Sequence, residues 1–377
     1  MSRRRLPIVA PSVLPPLYAA WMDELLDGPV PPEEEATCDD CAMVPAQGER
    51  AGDHAFDPSV KCCTYVPDIP NFLVGRILRD RDLTAKAGRL SVERRIDDKI
   101  AVSPLGLTMP APYKAVYAHA TKHDAFGREP ALRCPHYVEG PNHNCGIWMN
   151  RTSVCSTWFC KHVRGAVGRD FWTTGVLPLL GAIERALSRH CILEIGCDDS
   201  VLGRLFASSG PDDRQRGAEL RSDPESHARD WGRWLGKERA FYEQCARLVD
   251  AMKWKDVVAI SGVDVRVRAR VTRDLHAQLV ASELPERLRA GSFETVDFSP
   301  GKTRVSTYCS YDPIDLPAQL MALLPQFDGR PTQKIVAEIA RTEGVDLEHD
   351  LLRRLVDFEI LVSASATKRI TPKRPAR

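Results

Sequence analysis

Cysteines are the residues of this sequence whose type and spacing could support chemistry. Eight of its twelve cysteines fall into two groups, one before residue 64 and one after residue 133. The eight are Cys38, Cys41, Cys62, Cys63, Cys134, Cys145, Cys155 and Cys160. A thiolate is a soft anionic ligand that suits zinc, iron–sulfur clusters and copper(I), and it suits magnesium and calcium poorly. The pattern therefore predicts a metal site.

The spacing of these cysteines limits how they could share metal. Cys38 and Cys41 form a CxxC motif, whose tight turn lets two thiolates reach one ion. The adjacent Cys62 and Cys63 need either a bent backbone or two neighbouring metal positions. The later group is too loosely spaced for a compact finger, so we expect it to share ligands with the earlier group. Four thiolates complete a zinc tetrahedron or a 4Fe–4S cluster, and eight could fill two sites or one polynuclear site.

Histidines and isolated cysteines are the other soft donors to consider. Three histidines lie among the grouped cysteines and could each replace a thiolate or act as ordinary hydrogen-bonding residues: His136, His143 and His162. Four cysteines stand alone: Cys191, Cys197, Cys245 and Cys309. Of these, Cys191 and Cys245 fall on apolar faces of expected helices, which is typical of a small buried hydrophobe. The isolated cysteines are not predicted to bind metal.

The order of the motifs resembles the YkgJ-type zinc- or iron-chelating cysteine-cluster family. The shared order is CxxC, then CC, then Cys-Pro, then Cys-x-Ile-aromatic-x-x-Arg-x-x-x-Cys with a trailing aromatic residue and cysteine. Ile147, Trp148 and Arg151 stand where that family has its Ile-Tyr and Arg. The resemblance covers about residues 38–163. It implies that the eight grouped cysteines bind zinc or iron, as ions or as an iron–sulfur cluster, in a structural or redox role.

Two other functions remain open from the sequence. The order of cysteines also resembles, more loosely, that of flagellin lysine methylases, which implies an iron–sulfur enzyme that modifies a peptide or protein side chain. The other alternative is a DNA-binding regulator that senses metal or redox state. No catalytic residue is identified by either alternative.

Charge and hydropathy bear on nucleic-acid binding, on membrane insertion and on where in the cell the protein is located. The formal net charge is +1, so the whole chain is not a nucleic-acid-binding surface and we do not expect a nucleic-acid partner. No apolar run approaches the roughly 20 residues that span a bilayer. Pro7, Pro11, Pro15 and Pro16 interrupt the apolar stretch that would otherwise resemble a signal peptide. We predict a cytoplasmic protein, in which clustered cysteines favour metal over disulfides.

Periodicity predicts a mainly α-helical protein with five parts. They are an N-terminal arm and helix (1–27), an irregular cysteine-rich metal-binding domain (28–168), a helical region (169–290), a small α+β winged-helix-like module (291–364) and a basic disordered tail (365–377). The expected helical segments before residue 291 are Leu17–Leu26, Asn71–Lys99, Phe171–Phe206 and an amphipathic stretch from Trp231 to Met252. Prolines 104, 110 and 112 are expected to break long elements in 100–133. Turn-forming residues predict a turn at 140–144 and a polar connection at 209–228.

In the C-terminal segment the spacing of apolar residues changes, and part of it is typical of strands rather than helices. Strands are expected at Phe293–Phe298 and Thr303–Tyr308 around a turn at 299–302, followed by helices at Leu316–Leu324, Gln333–Arg341 and Leu347–Phe358 and an apolar run at 360–362. This order weakly resembles a PqqD-like winged-helix peptide-recognition module. The resemblance implies a peptide or protein substrate that joins an exposed sheet edge as a strand. The last helix mixes arginines with acids, unlike a DNA-recognition helix.

Overall fold

The computed structural model describes residues 13–34, 38, 41–45, 54–123, 125–139, 144–206 and 223–365. Within these residues the fold is mainly helical with small antiparallel sheets, as predicted. The predicted basic tail lies outside the described residues apart from its first position. Most of the predicted turn at 140–144, including His143, and most of the polar connection at 209–228 also lie outside them.

The N-terminal helices largely match the sequence pattern. Helix α1 spans Pro16–Leu25 and confirms the helix expected at Leu17–Leu26. The stretch expected to be helical from Asn71 to Lys99 forms two helices, α2 at Asn71–Arg79 and α3 at Lys86–Asp97. The helix is interrupted between α2 and α3 because two aspartate side chains accept hydrogen bonds from backbone N–H groups two residues later in the chain. The Asp80 carboxylate accepts from the Asp82 N–H at 3.0 Å, and the Asp82 carboxylate accepts from the Thr84 N–H at 2.8 Å.

Residues 100–133 contain a helix of 10 residues among the prolines that were expected to break long elements. Helix α4 spans Ala111–Ala120, with Pro110 as its N-cap and Pro112 in its first turn. The helix tolerates both prolines because a helix leaves its first N–H groups unbonded, so a proline there loses no hydrogen bond. A three-stranded antiparallel sheet precedes α4. Its strands are β1 at Ile69–Pro70, β2 at Val102–Ser103 and β3 at Gly106–Leu107, with β3 in the centre.

The cysteine-rich segment and the helices after it form one continuous run. Strands β4 (Tyr137–Val138) and β5 (Asn144–Cys145) pair antiparallel, and the short helices α5 (Ser153–Thr157) and α6 (Gly165–Asp170) follow. A π-helical turn at Phe171–Val176 leads into α7 at Leu177–Ile195, and α8 spans Asp199–Phe206. These elements confirm the helices expected at Phe171–Phe206. The π turn adjoins Pro178, whose missing N–H interrupts the ordinary helical bonding there.

The amphipathic stretch from Trp231 to Met252 is not one helix. Helix α9 spans Pro224–Trp231, so it occupies the end of the predicted polar connection, and α10 spans Glu238–Asp250. Gly232 and Gly236, with φ of 50° and 76°, turn the chain between the two helices. Helix α11 follows at Trp254–Val280 and is interrupted at Gly262, which has a φ of 71°.

The main hydrophobic core joins α1, α2, α7, α10 and α11. Helices α2 and α10 lie so close that a Cβ at Gly75 would overlap the carbonyl of Tyr242. The core includes Ile147 from the cysteine-rich segment, and Cys145 packs against it. The core therefore holds one side of that segment in place.

A second, smaller core lies in the C-terminal segment and includes Leu288, Val305, Ile335 and Leu355. Two three-stranded antiparallel sheets, in the orders β10-β6-β11 and β7-β8-β9, pack with three helices there. The strands are β6 (Arg287–Ala290), β7 (Glu294–Ser299), β8 (Lys302–Ser306), β9 (Ile314–Pro317), β10 (Asp328–Pro331) and β11 (Leu361–Ser363). The helices are α12 (Ala318–Leu323), α13 (Thr332–Glu343) and α14 (His349–Asp357).

The C-terminal predictions are largely confirmed. Strands β7 and β8 form the expected hairpin, with Phe298 opposite Thr303. Helices α13 and α14 occupy the expected positions, and the apolar run at 360–362 enters β11. The segment Leu316–Leu324 instead begins as the end of β9, and its helix starts only after Pro317. The central strand β6 precedes residue 291, where the module was expected to begin.

Candidate functional site

The first two predicted ligands lie in a short irregular segment. Cys38 and Cys41 are half-buried, and the Val44 N–H donates to the Cys41 carbonyl at 2.9 Å. The buried Lys61 ammonium group donates to the Cys38 carbonyl. This bond ties the CxxC segment to the residue immediately before the Cys62–Cys63 pair.

The adjacent pair Cys62 and Cys63 stands on a bent backbone, one of the two arrangements that the sequence allowed. Lys61 has a left-handed φ of 50°, and the Cys63 N–H closes the turn by donating to the Val60 carbonyl at 2.9 Å. The bend places the two thiols close enough to interact. Their interaction lowers the pKa of Cys62 and, together with burial, raises the pKa of Cys63.

Backbone contacts bring the later cysteines to this pair. The Cys134 N–H donates to the Cys63 carbonyl at 2.7 Å, and Cys145 in β5 is paired with Tyr137 in β4. A Cβ at Gly88 in α3 would overlap the carbonyl of Gly146, so the backbones of α3 and the end of β5 are in direct contact. Helix α3 therefore supports the position of Cys145.

Helix α5 carries Cys155 and is anchored by a carboxylate from α7. The Glu184 carboxylate accepts from the Ser153 N–H at 2.7 Å, from the Ser153 hydroxyl at 2.6 Å and from the Tyr18 hydroxyl at 2.5 Å. An acceptor at a helix N-terminus satisfies donors that the helix leaves open. Cys160 lies three residues after α5 and is half-buried.

All eight predicted cysteines lie close enough for each thiol to interact electrostatically with at least one other. Cys62 is central, because its charge raises the pKa of six others: Cys38, Cys41, Cys63, Cys145, Cys155 and Cys160. The remaining thiol, Cys134, has its pKa raised by burial and by Cys145 and Cys155. All twelve cysteines of the chain carry free thiols. The fold thus brings together cysteines that are far apart in sequence.

Three buried cations surround these thiols: Lys61, Arg95 and Arg151. The Arg151 guanidinium lies 3.3 Å from the ring centroid of Trp148 and donates to the Val13 carbonyl at 2.9 Å. Burial lowers its pKa, whereas Cys145, Cys38, Cys155 and Cys62 act in the opposite direction. Its Nε has no hydrogen-bond partner among the described residues. Such a cation is well placed to offset negative charge on the thiols.

Burial is the largest cause of the raised pKa in every thiol of the group except Cys62 and Cys63. It raises the pKa of Cys38 to about 12 and that of Cys155 to about 12, with neighbouring thiols adding to both shifts. These thiols are therefore protonated near neutral pH, whereas the pKa of Cys62 is lowered. Metal ligation requires thiolates, so metal binding would release protons and a cation would reverse these shifts.

The side chains do not stand in ligand geometry. Among the described residues, no group of three or more histidine, cysteine, aspartate or glutamate side chains is arranged to hold a metal ion. The thiols interact with one another, but they do not form a preassembled metal site.

Two of the three candidate histidines are buried beside the cysteines. The His136 Nδ1 lies 2.8 Å from the Ser91 hydroxyl, and the His162 Nδ1 lies 3.4 Å from the Tyr308 hydroxyl. In each ring Nε2 has no partner among the described residues. Burial lowers the pKa of His136 to about 3 and that of His162 to about 4. Both imidazoles are therefore neutral, which is the form that binds metal.

A cavity opens beside one end of the cysteine group. Its volume is about 460 Å³. Cys134 and His136 line it, with Arg133 and Glu139 also contributing.

One cysteine near the group was missed by the sequence reasoning. The Cys309 thiol lies 4.0 Å from the Cys160 carbonyl, and its charge raises the pKa of Cys160. No local spacing could have identified it, because it stands alone between β8 and β9. The expectation for Cys191 and Cys245 is confirmed, since both are buried in the main core.

Comparison with known proteins identified no matching family model, no similar curated protein and no similar solved structure. The resemblances to the YkgJ-type family and to PqqD-like modules therefore stay predictions. Among the described residues, none of the helices combines the length and the apolar character that a membrane crossing requires.

Proposed function

We propose that this protein binds zinc or iron through its cysteine cluster, as single ions or as an iron–sulfur cluster. The supporting observation is the gathering of the eight predicted thiols around Cys62. Their chemistry is that of a soft-metal site, and zinc and iron are the metals that thiolates most often hold in proteins.

The buried cationic side chains beside the thiols also support the proposal of a metal–thiolate centre. A zinc ion or a 4Fe–4S cluster with four thiolates carries net negative charge, which is costly to bury alone. Lys61, Arg95 and Arg151 supply buried positive charge beside the thiols. Against neutral thiols, the buried Arg151 guanidinium would lack an anionic counterpart. We infer that these cations accompany a metal–thiolate centre whose role is structural or redox.

A double variant tests this proposal. Cys62→Ser with Cys63→Ser should abolish metal content, because it removes the two thiols at the centre of the group. The control is Cys197→Ser, since Cys197 is half-buried like Cys62 and interacts with Arg233 and Asp198 rather than with the cluster. Metal per chain is measured by elemental analysis after anaerobic purification. Full metal retention in the double variant would show that the ligands are wrong.

We further propose that the C-terminal segment captures an extended peptide at strand β7. This strand is an edge of the β7-β8-β9 sheet. Its Phe298 side chain is 77% exposed and its Val296 side chain is 56% exposed. An edge strand has unpaired N–H and C=O groups that a further strand can bind. The exposed apolar side chains would pack against the side chains of that strand. With an iron–sulfur centre, such a site would suit an enzyme that modifies a peptide or protein side chain.

Selection from a library of random peptides tests this second proposal. Phe298→Glu should weaken binding of the selected peptides by about tenfold or more, since burying an apolar side chain is worth about 1.5–3 kcal/mol. Leu193→Glu on α7 is the control, because Leu193 is also exposed and lies outside the C-terminal segment. Equal binding by Phe298→Glu and wild type, or no selected peptides at all, would contradict peptide capture at β7.

The DNA-binding alternative has less support. In α14, Arg353 pairs with Asp357 and donates to the carbonyls of Ala281 and Glu283. Arg354 lies over the ring of Phe358. The ion pair and the hydrogen bonds of Arg353 occupy donors that a contact with bases or phosphates would need.

A further inference from the structure

We propose that Cys309 is a ninth cysteine ligand of the metal site and that Nε2 of His162 is the nitrogen donor beside it. This inference rests on the proposed metal-binding function and extends it to the C-terminal segment. It assigns to the connection between β8 and β9 a role in binding zinc or iron.

The connection containing Cys309 is fixed against the cysteine-rich segment. The Arg169 guanidinium donates to the Tyr308 carbonyl at 2.6 Å, and the His162 N–H donates to the Asp312 carboxylate at 3.1 Å. The Tyr311 ring packs edge-on against Phe56, with 5.7 Å between ring centroids. These contacts come from both sides of the connection, so Cys309 is held beside the cysteine group rather than in open solvent.

The backbone around Cys309 forms a tight turn that directs its thiol. The Cys309 carbonyl accepts from the Ser306 hydroxyl and from the Asp312 N–H, each at 3.2 Å. The thiol lies 4.0 Å from the carbonyl of Cys160, a predicted ligand. Cys160 in turn interacts with Cys62 and Cys41. Cys309 therefore extends the group at the end where Cys41 and Cys160 lie.

His162 provides an independent indication of a ligand at this end. It is 4% exposed, and its Nε2 has no hydrogen-bond partner among the described residues. Its Nδ1 faces the Tyr308 hydroxyl, which donates to the Asp312 carboxylate. A metal-binding histidine commonly has this arrangement, with one nitrogen held by an outer hydrogen bond and the other open for the ion. A mixed set of sulfur and nitrogen donors suits zinc or iron(II).

The site needs side-chain rotation before it can close on an ion, because no donor group is prearranged among the described residues. Metal at this end would then join the cysteine-rich segment to the segment that carries β7. The candidate peptide edge and the metal site would thereby become parts of one assembly.

Cobalt(II) substitution of the full-length protein tests this inference. Sulfur-to-cobalt charge-transfer absorption grows with the number of bound thiolates. Cys309→Ser should reduce that absorption and weaken cobalt binding by at least about 10- to 100-fold, the loss that removing even a hydrogen-bond partner of a ligand causes. Cys197→Ser should match wild type in both measurements. If Cys309→Ser matches wild type too, Cys309 is not a ligand.

Thiol labelling of the wild-type protein tests the same inference without depending on whether the Cys309→Ser variant folds. Iodoacetamide should modify Cys309 slowly with metal bound and faster after chelation, as mapped by mass spectrometry, whereas Cys197 should be labelled at the same rate in both states. Equal labelling of Cys309 with and without bound metal would overturn this inference and leave the proposed function intact. A wild-type protein that binds no metal would overturn the proposed function itself.

Discussion

At the scale of single residues, Arg151 shows how the site's chemistry depends on groups that are not ligands. Its guanidinium is buried among thiols from several parts of the chain, and one of its nitrogens lacks a hydrogen-bond partner within the described residues. A cation in this position favours thiolates over thiols. It therefore acts on metal affinity through the protonation of the cysteines.

Arg151→Gln should weaken metal binding by about 10- to 100-fold, which corresponds to the roughly 1.5–3 kcal/mol typical of an interaction with a charged group. The affinity is measured by competition with a chelator of known strength. Arg133→Gln is the matched control, since Arg133 adjoins Cys134 in sequence but is exposed and paired with Glu139. Equal losses in the two variants would mean that the effect is not specific to the buried cation.

At the scale of elements, the spacing of apolar residues predicted most helices and strands. The predictions that were wrong have physical explanations. The stretch from Trp231 to Met252 has the apolar spacing of one helix. Two helices bury the same apolar side chains, because Trp231 still packs against Phe241 across the break, with ring centroids 5.6 Å apart. The turn depends on Gly232 and Gly236, whose left-handed φ values a hydrophobic pattern does not encode.

The site itself was predictable only in part. The grouped cysteines are recognisable from their number and spacing, but the position of Cys309 depends on how the C-terminal segment packs on the rest. That packing rests on contacts such as Arg169 with Tyr308, which join residues far apart in sequence. A single sequence carries no direct signal of such a contact.

The contact between Gly88 and Gly146 provides a test at this scale. Gly88→Ala should destabilise the protein by about 1–3 kcal/mol, because the added methyl group would overlap the Gly146 carbonyl and force α3 away from β5. Gly203→Ala in α8 is the control. Apart from its chain neighbours and the backbone of its own helix, no described atom lies within 4 Å of the added Cβ. The substitution should therefore be stabilising by about 0.5–1 kcal/mol.

Urea unfolding monitored by circular dichroism measures both free energies of unfolding. The Gly88→Ala variant should also bind metal more weakly, since α3 supports the backbone next to Cys145. A Gly88→Ala protein as stable as wild type would show that the close approach of these two backbones is not required.

At the scale of the whole molecule, the cysteine group joins parts of the chain that the hydrophobic cores leave separate. The main core holds the helices and one side of the cysteine-rich segment, and a second core organises the C-terminal segment. The irregular segment around Cys38 and Cys41 contributes little to either core. Metal would therefore add a link outside the two hydrophobic cores, and its binding free energy would contribute to folding.

Metal content of the wild-type protein tests the central claim most directly. The protein is purified without oxygen, and zinc, iron and acid-labile sulfide are quantified per chain alongside the visible absorption spectrum. We expect at least one equivalent of zinc in a colourless protein, or iron with sulfide in a brown protein that dithionite bleaches. A folded protein that contains neither metal, and that takes up neither when reduced and supplied with zinc or iron(II), would contradict the account.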